Sequence, residues 1–72
     1  MNGYPKLARL KDVRIRKALA QEDLERMTGV AQATISALEL GKRTARPSTV
    51  RKLAGALGVE PEELMESKGG VF

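Results

Sequence analysis

The stretch QEDLERMTGVAQATISALELG, residues 21–41, decides how this chain of 72 residues folds. Acidic residues crowd the start of this stretch, where the dipole of a helix favours negative charge. Gly29 has the position at which a helix ends in a left-handed residue, and Gly41 repeats that arrangement. The pattern therefore predicts two helices, over residues 21–28 and 32–40, joined by a three-residue turn that contains a glycine.

Hydrophobic periodicity predicts further helices on both sides of this pair, and no strand-like alternation occurs. These helices cover residues 7–18, residues 49–57 with Ser48 as the N-cap, and residues 61–65 with Pro61 at the first helical position. We therefore expect an all-α fold, a compact five-helix bundle in which helices 2 and 3 form a helix-turn-helix. Residues 1–72 are expected to form one domain, with its core at residues 7–65 and flexible ends at residues 1–6 and 67–72.

The composition excludes several classes of function. Cysteine and histidine are both absent, so no disulfide, thiolate zinc site or Ser-His-Asp triad can form. Only one tyrosine and one phenylalanine occur, which argues against a base-stacking surface for single strands. No apolar run approaches the roughly 18 residues of a membrane span. We expect a cytoplasmic protein that is not an enzyme, needs no cofactor or metal, and binds no membrane and no evident small-molecule ligand.

The charges are distributed in blocks along the chain, and their formal sum is +4. Residues 1–20 carry a net +5 and residues 21–40 a net −3; residues 41–52 carry five positive charges and no acid, and residues 53–72 carry a net −3. If folding places the two basic blocks side by side, they form the positive patch expected for a polyanion partner. An ordinary solvated surface explains the same charges, since +4 is unremarkable for a small domain.

The predicted helix at residues 32–40 has an unusual outward face. Ile35 and Leu38 point towards the core, and no charged residue occurs from Ala31 to Leu38. The outward positions are Gln32, Ala33, Ser36 and Ala37. The outward face of a generic helix pair would be rich in Lys and Glu, whereas short and amide side chains suit a helix lying in a DNA major groove. There, Gln can pair with adenine and Ala can contact a thymine methyl group.

Several segments together resemble one known family. They are LAQEDL at residues 19–24, TGV at 28–30, TISALELGKR at 34–43, TVRKLA at 49–54 and ALGV at 56–59. The resemblance is to the phage repressor/Cro-like helix-turn-helix family, also called the xenobiotic-response-element family, and it covers about residues 7–65. It implies a transcriptional regulator, most simply a repressor, that inserts its third helix into the major groove of double-stranded DNA. Such proteins generally bind inverted-repeat operators as two-fold dimers.

The resemblance also implies roles for individual residues. The base-reading positions are Gln32, Ala33 and Ala37, with Ser36 beside them. The backbone-contacting positions are Gln21, Thr34, Lys42 and Arg43, with Arg46 in the same loop; Gln21 also braces the recognition helix. A salt bridge between Arg14 and Glu39 ties the first helix to the end of the third.

The chain departs from the family pattern at four points. Pro47-Ser48 comes two residues later than the family's usual Pro-Ser, so the basic loop is longer and the fourth helix starts later. Glu25 stands where the family nearly always has alanine packed against the recognition helix, so its carboxylate must reach solvent or pair with Arg26 or Arg14. Ala20 and Ala31 replace the usual Ser or Thr caps, at a cost of about 1 kcal/mol each. None of these changes removes the groove-facing surface.

Partners and regulation remain open between alternatives. The expected homodimer interface comprises Leu64, Met65, Val71 and Phe72; alternatively, Leu64 closes the core of a monomer and the tail is free. With no sensing region in the sequence, we expect regulation by concentration, by self-association or by a second protein. A second interpretation is a protein-interaction module of the same fold, such as an antitoxin that binds a toxin. The acidic C-terminal quarter and the apolar pair at residues 71–72 favour that alternative.

Overall fold

The computed structural model describes residues 4–65, and every regular element in that part of the chain is helical. Its elements are α1 Leu10–Arg16, α2 Gln21–Thr28, α3 Gln32–Glu39, α4 Pro47–Leu57 and a 3₁₀ helix Pro61–Leu64. The all-α prediction is confirmed, but the described residues contain four α-helices and not five. At the fifth position the N–H of Glu63 donates to the carbonyl oxygen of Glu60 at 2.9 Å, which is the three-residue spacing of a 3₁₀ turn. Within residues 4–65, no helix is both long and apolar enough to cross a membrane.

A single hydrophobic core receives side chains from every helix. Its members, each at most 3% exposed, are Leu7, Leu10, Val13, Leu24, Ile35, Leu38, Ala45, Val50, Leu53, Ala54, Leu57 and Leu64. Full burial of a leucine contributes roughly 1.5–3 kcal/mol. The 3₁₀ helix is also hydrogen-bonded to the residue before α1, because the N–H of Arg9 donates to the carbonyl oxygen of Leu64 at 3.0 Å. Leu64 thus closes the core of this chain and has no exposed surface for a partner.

Helix α1 is shorter than the predicted span of residues 7–18. Leu7 is fully buried, but it lies in a turn before the helix, where its carbonyl oxygen accepts the N–H of Leu10 at 3.1 Å. A buried leucine before a helix has the same hydrophobic signature as one inside it, which explains the error. Ile15 is 56% exposed, one of the few large apolar side chains outside the core.

Helix α4 begins earlier than predicted. The helix starts at Pro47, with Arg46 as the extended N-cap residue, so Ser48 lies inside the helix and is not its cap. Proline suits the first helical position because its fixed φ is already helical and the missing N–H would have no partner there. The loop after α3 therefore ends at Arg46.

Two turns reverse the chain with left-handed residues of different type. Gly29, between α2 and α3, has φ 79°, a conformation that glycine adopts without steric cost. Ala18, between α1 and α2, has φ 59°, and it is the one non-glycine residue with positive φ among residues 4–65. An L-residue loses about 1 kcal/mol or more in this conformation. The turn is held by N–H donation from Leu19 to the carbonyl oxygen of Arg14 at 3.2 Å.

Helix α2 begins without a capping side chain but with a substitute for one. The alanine at its N-cap cannot accept a hydrogen bond; instead the N–H of Ala20 donates to Oδ2 of Asp23 at 2.8 Å. This bond, followed in importance by one from Arg26, holds the pKa of Asp23 below its usual value. At the other end, Thr28 Oγ1 donates to the carbonyl oxygen of Leu24 at 2.7 Å and accepts the N–H of Val30 at 3.0 Å. Side-chain oxygens thus satisfy backbone groups at both ends of α2.

Candidate nucleic-acid interface

The outer face of α3 is an uncharged strip of small and amide side chains. Ile35 and Leu38 are buried beneath it, so the opposite side of the helix faces outward. Gln32 and Ala33 are exposed on that side, and Ser36 and Ala37 are half-buried. A helix with such short side chains can approach another surface closely along its whole length. These four residues are the ones that the sequence predicts as base-reading positions, and the structure places them on one face.

One flank of this strip is formed by an ion pair between α1 and α3. Arg14 Nε donates to Glu39 Oε2 at 2.6 Å, and Arg14 Nη2 donates to Glu39 Oε1 at 3.0 Å, a two-pronged geometry. A third bond runs from Arg14 Nη1 to the carbonyl oxygen of Leu19 at 2.8 Å. The two side chains are only 11% and 3% exposed. Planar guanidinium–carboxylate pairs of this kind fix relative orientation as well as distance, so α1 sets the position of the α3 C-terminus.

Two glutamines extend the ion pair to the start of α3. Gln21 Nε2 donates to Glu39 Oε1 at 2.9 Å, and Gln32 Nε2 donates to Gln21 Oε1 at 3.3 Å. The exposed amide of Gln32 is therefore linked, through Gln21, to the buried carboxylate of Glu39. We call Arg14, Gln21, Gln32 and Glu39 the bracing network.

Arg14 and Glu39, the two ionisable residues of the bracing network, are both charged at neutral pH. Burial acts to raise the pKa of Glu39, but hydrogen bonds from Arg14 and Gln21, together with the positive charges of Arg14 and Lys11, outweigh it. The pKa of Glu39 therefore lies below its ordinary value. The pKa of Arg14 is raised, because its hydrogen bond to Glu39 outweighs the effect of burial. Each charge thus stabilises the other, and the pair is a permanent part of the fold near neutral pH.

The other flank of α3 faces the loop of residues 42–46 across an open cleft of about 420 Å³. Its lining residues are Tyr4, Thr34, Leu38, Arg43, Thr44, Ala45, Arg46 and Thr49, and we call the space they surround the basic cleft. Thr34 is half-buried at the edge of the α3 strip, whereas Arg43 and Arg46 are exposed. Lys42 is exposed in the same loop. The predicted backbone-contacting residues therefore lie on both flanks, with Gln21 on one side and the other four on or beside the basic cleft.

Ala45 and Tyr4 are among the residues of the basic cleft that the sequence-based prediction missed. Ala45 is 2% exposed, and its N–H donates to the carbonyl oxygen of Pro5 at 2.9 Å. This bond fastens the start of the described chain to the loop, which brings Tyr4 into the lining. The available signal was an apolar residue within the basic run KRTAR at residues 42–46, which indicates a loop anchored to the core.

A family model described as helix-turn-helix matches residues 10–64, which is most of the chain. The chain belongs to the helix-turn-helix family. The predicted phage repressor/Cro type is confirmed, and this type comprises DNA-binding transcriptional regulators that are not enzymes. Helices α2 and α3 form the motif, and α3 has the position of the second helix, which in helix-turn-helix proteins is called the recognition helix.

Two relatives are named as helix-turn-helix-type transcriptional regulators. The chain is 40% identical over 63 residues to the regulator RghRB of Bacillus subtilis, a match that covers 86% of this chain and 45% of that protein. It is 42% identical over 53 residues to the regulator y4dJ of Sinorhizobium fredii, covering 74% of this chain and 69% of the relative. The chain thus spans less than half the length of the first relative and about two thirds of the second.

Two solved structures have the same fold. One is the restriction-modification controller protein C.AhdI from Aeromonas hydrophila, with a TM-score of 0.76, 34% identity, and coverage of 83% of this chain and 92% of that one. The other is a hypothetical transcription factor, NHTF, from Neisseria, with a TM-score of 0.79, 30% identity, and coverage of 92% of this chain and 77% of that one.

Glu25, the acidic residue at the usual alanine position, lies exposed on α2 of the helix-turn-helix. The two arginines that were candidate partners pair elsewhere, Arg14 with Glu39 and Arg26 with Asp23, the latter at 2.6 Å. Within residues 4–65, Glu25 makes no ion pair. Of the two arrangements expected from the sequence, the helix-turn-helix adopts the one in which the carboxylate reaches solvent.

Two of the four predicted dimer residues lie in the part of the chain that the structure describes, and they differ in exposure. Leu64 is fully buried within the chain, and Met65 is half-buried. Val71 and Phe72 lie outside the described residues. Met65 borders an apolar groove of about 280 Å³, whose other lining residues are Pro5, Pro47, Val50, Arg51 and Pro61. Of the residues predicted for the interface, Met65 is therefore the one within residues 4–65 whose side chain has exposed surface.

Proposed function

We propose that this protein is a sequence-specific regulator that binds double-stranded DNA by placing α3 in the major groove. The observation that carries the proposal is the uncharged strip of α3 set between the bracing network and the basic cleft. A major groove is about 12 Å wide and admits one α-helix, with a phosphate strand along each side. A close-approaching strip with phosphate-binding groups on both flanks matches that shape.

Base reading is assigned to Gln32, Ala33, Ser36 and Ala37. Gln32 lies at the start of the recognition helix, where side chains reach base edges, and its bond to Gln21 restricts the orientation of its amide. A glutamine amide can form a paired contact with adenine, and the methyl group of alanine can contact the methyl group of thymine. Their small size lets the backbone of α3 approach the base edges.

Phosphate binding is assigned to residues beside the strip, namely Gln21, Thr34, Lys42, Arg43 and Arg46. The three cations supply the salt-dependent part of the affinity, which scales with the number of phosphates neutralised. Backbone contacts of this kind position the protein on the duplex without reading its sequence. A steep loss of affinity for mixed genomic DNA with rising salt is therefore expected.

We infer further that the protein acts as a two-fold dimer on an inverted repeat and represses by occupying the operator. Support comes from the apolar groove beside Met65. A two-fold dimer places its recognition helices one DNA turn apart, about 34–36 Å. The similarity to a restriction-modification controller protein supports a regulatory role.

Selection of bound sequences from a random DNA pool tests the proposal. We expect an enriched inverted repeat whose half-sites are centred about 10–10.5 base pairs apart. Sedimentation equilibrium on the same preparation should give a dimer at tens of micromolar. A single asymmetric site bound by a monomer contradicts the dimer, and no detectable DNA binding even at low salt favours the protein-interaction module.

A further inference from the structure

The basic cleft has the chemistry of a site for a phosphate group. Its lining carries the guanidinium groups of Arg43 and Arg46 and the hydroxyl groups of three threonines and a tyrosine. No carboxylate occurs among the described residues that line it. Guanidinium groups and hydroxyl groups both donate hydrogen bonds to phosphate oxygens, so a phosphate meets donors on both the α3 wall and the loop wall.

The basic cleft lies directly beside the outer strip of α3. Thr34 belongs to the recognition helix and also lines the cleft, so the cleft begins where the groove-facing strip ends. A helix that lies in the major groove has a sugar-phosphate strand against each flank. The flank at Thr34 therefore lies against one of these strands when α3 contacts bases.

The start of the described chain is held in place against this flank. The N–H of Ala45 donates to the carbonyl oxygen of Pro5, and Ala45 itself is buried, so the residue next to Tyr4 is fixed to the loop. Tyr4 is 45% exposed and lines the cleft. Its ring therefore lies at the cleft and is partly exposed to solvent.

We propose that the basic cleft holds one phosphate of the DNA backbone and that Tyr4 contacts it through its phenol hydroxyl group. This inference rests on the proposed function, because it places a further contact residue in the same interface. Tyr4 lies outside the helix-turn-helix and 28 residues before the recognition helix begins at Gln32. The N-terminal segment thereby becomes a part of the DNA interface that holds the duplex and reads no base.

The chain offers a direct probe, because Tyr4 is its single tyrosine. Incorporation of 3-fluorotyrosine gives one ¹⁹F resonance, which reports on this position alone. On titration with the selected operator, that resonance should shift with the same midpoint as the anisotropy of labelled DNA. Scrambled DNA should cause a similar shift at higher concentration, since the contact carries no sequence information.

A pair of variants separates the tyrosine from its charged neighbour. Tyr4→Phe keeps the ring and removes one neutral hydrogen bond, so affinity should fall about three- to tenfold on operator and scrambled DNA alike, with an unchanged salt slope. Arg46→Ala should instead lower the salt slope by about one unit. The thermal unfolding midpoint of each variant, measured without DNA, separates any change in stability from the change in affinity.

Three results overturn the inference or its basis. If DNA binds while the ¹⁹F resonance stays unchanged and Tyr4→Phe binds like the parent, Tyr4 is not a contact and the proposed function still stands. If the resonance moves with millimolar inorganic phosphate at constant ionic strength but not with DNA, the site takes free anions and not the DNA backbone. If labelled DNA does not bind at all, the proposed function itself fails.

Discussion

The two flanks of the recognition helix differ in almost every physical respect. On one side the bracing network links Arg14 to Gln32 through hydrogen bonds that run from a buried ion pair to an exposed amide. On the other side the basic cleft is open, and its arginine side chains are exposed. The first flank is built of matched charges and amides, whereas the second is built of cations and hydroxyl groups without a carboxylate in the described lining.

This difference separates two tasks that a DNA-binding surface performs. Base reading needs side chains held within a fraction of an ångström, which buried and two-pronged hydrogen bonds provide. Phosphate binding tolerates long flexible side chains, because charge attraction acts over several ångströms. We therefore expect changes on the braced flank to alter stability and sequence preference, and changes beside the cleft to alter overall affinity and its salt dependence.

The largest expected effect follows from removing Arg14. Arg14→Ala leaves the Glu39 carboxylate, whose side chain is 3% exposed, without its charged partner. Loss of one member of a buried pair costs about 3–5 kcal/mol. Arg16→Ala, which truncates an exposed arginine of the same helix, should change stability by less than about 1 kcal/mol. Urea unfolding at neutral pH measures both.

A conservative variant keeps this test informative if Arg14→Ala does not fold. Arg14→Lys retains the positive charge but lacks the planar fork that reaches both oxygens of Glu39 and the carbonyl oxygen of Leu19. Its stability should fall between that of the parent and that of Arg14→Ala. Equal, small losses for the variants at positions 14 and 16 would show that the pair does not stabilise the fold.

Acid weakens the same pair more gently than the arginine truncation does. The pKa of Glu39 is lower in the folded state than in the unfolded chain, so its pairing stabilises the fold at neutral pH. That contribution is lost as the pH falls below the ordinary range of glutamate towards the lowered pKa. Between pH 7 and pH 3, the free energy of unfolding should decrease less for Glu39→Gln than for the parent. Parallel curves would contradict this.

Exchange of single side chains on the two flanks should produce opposite binding phenotypes. Gln32→Ala should cost about 1–3 kcal/mol on the operator and relax specificity at one position in each half-site, with little change in salt slope. Lys42→Ala should weaken operator and scrambled DNA almost equally and lower the slope by about one unit. Titrations of both DNAs at several salt concentrations give both quantities.

The reverse result would refute the docking mode. If Gln32→Ala weakens both DNAs alike, or Lys42→Ala changes base preference, the recognition helix is oriented differently from the arrangement proposed here. Gln21→Ala adds a second check, because it removes the bond that orients Gln32. Part of the Gln32 phenotype should appear in that variant.

The smallest expected effect concerns the turn between α1 and α2, which leads into the bracing network at Leu19. Ala18 has φ 59° and precedes Leu19, whose carbonyl oxygen accepts a bond from Arg14. Ala18→Gly relieves the left-handed strain but increases the entropy of the unfolded chain, so we expect a gain of less than about 1 kcal/mol. Ala33→Gly, the same change inside α3, should instead cost about 1 kcal/mol. A loss of stability in both variants would contradict the proposal that Ala18 is strained.

Local signals in the sequence predicted the helix-turn-helix well. The predicted bounds of α2 match the structure, and α3 ends one residue before the prediction, because acidic residues mark a helix start and glycines mark helix ends. The start of α4 was wrong, since Ser48 and Pro47 are both favourable near a helix start and only tertiary structure decides between them.

The site was predictable where residues act along one helix and less so where distant segments meet. Helical periodicity alone identified the outer strip of α3. The pairing of Arg14 with Glu39 spans 25 residues, and only the resemblance to the family suggested it. The place of Tyr4 at the basic cleft depends on a backbone bond between Ala45 and Pro5. No local pattern encodes such a bond, because any residue except proline has the donor.

The shortness of the recognition helix links DNA binding to the lifetime of the protein. Helix α3 has 8 residues, and isolated helices shorter than about 12–15 residues are marginal in water. The DNA-binding surface therefore exists only while the whole domain is folded, and DNA selects the folded state over the unfolded one. At a hundred times its Kd, an operator stabilises the fold by about 2.7 kcal/mol. Proteases that act on unfolded chains would then remove unbound molecules first, so the number of occupied operators falls more slowly than the total amount of protein.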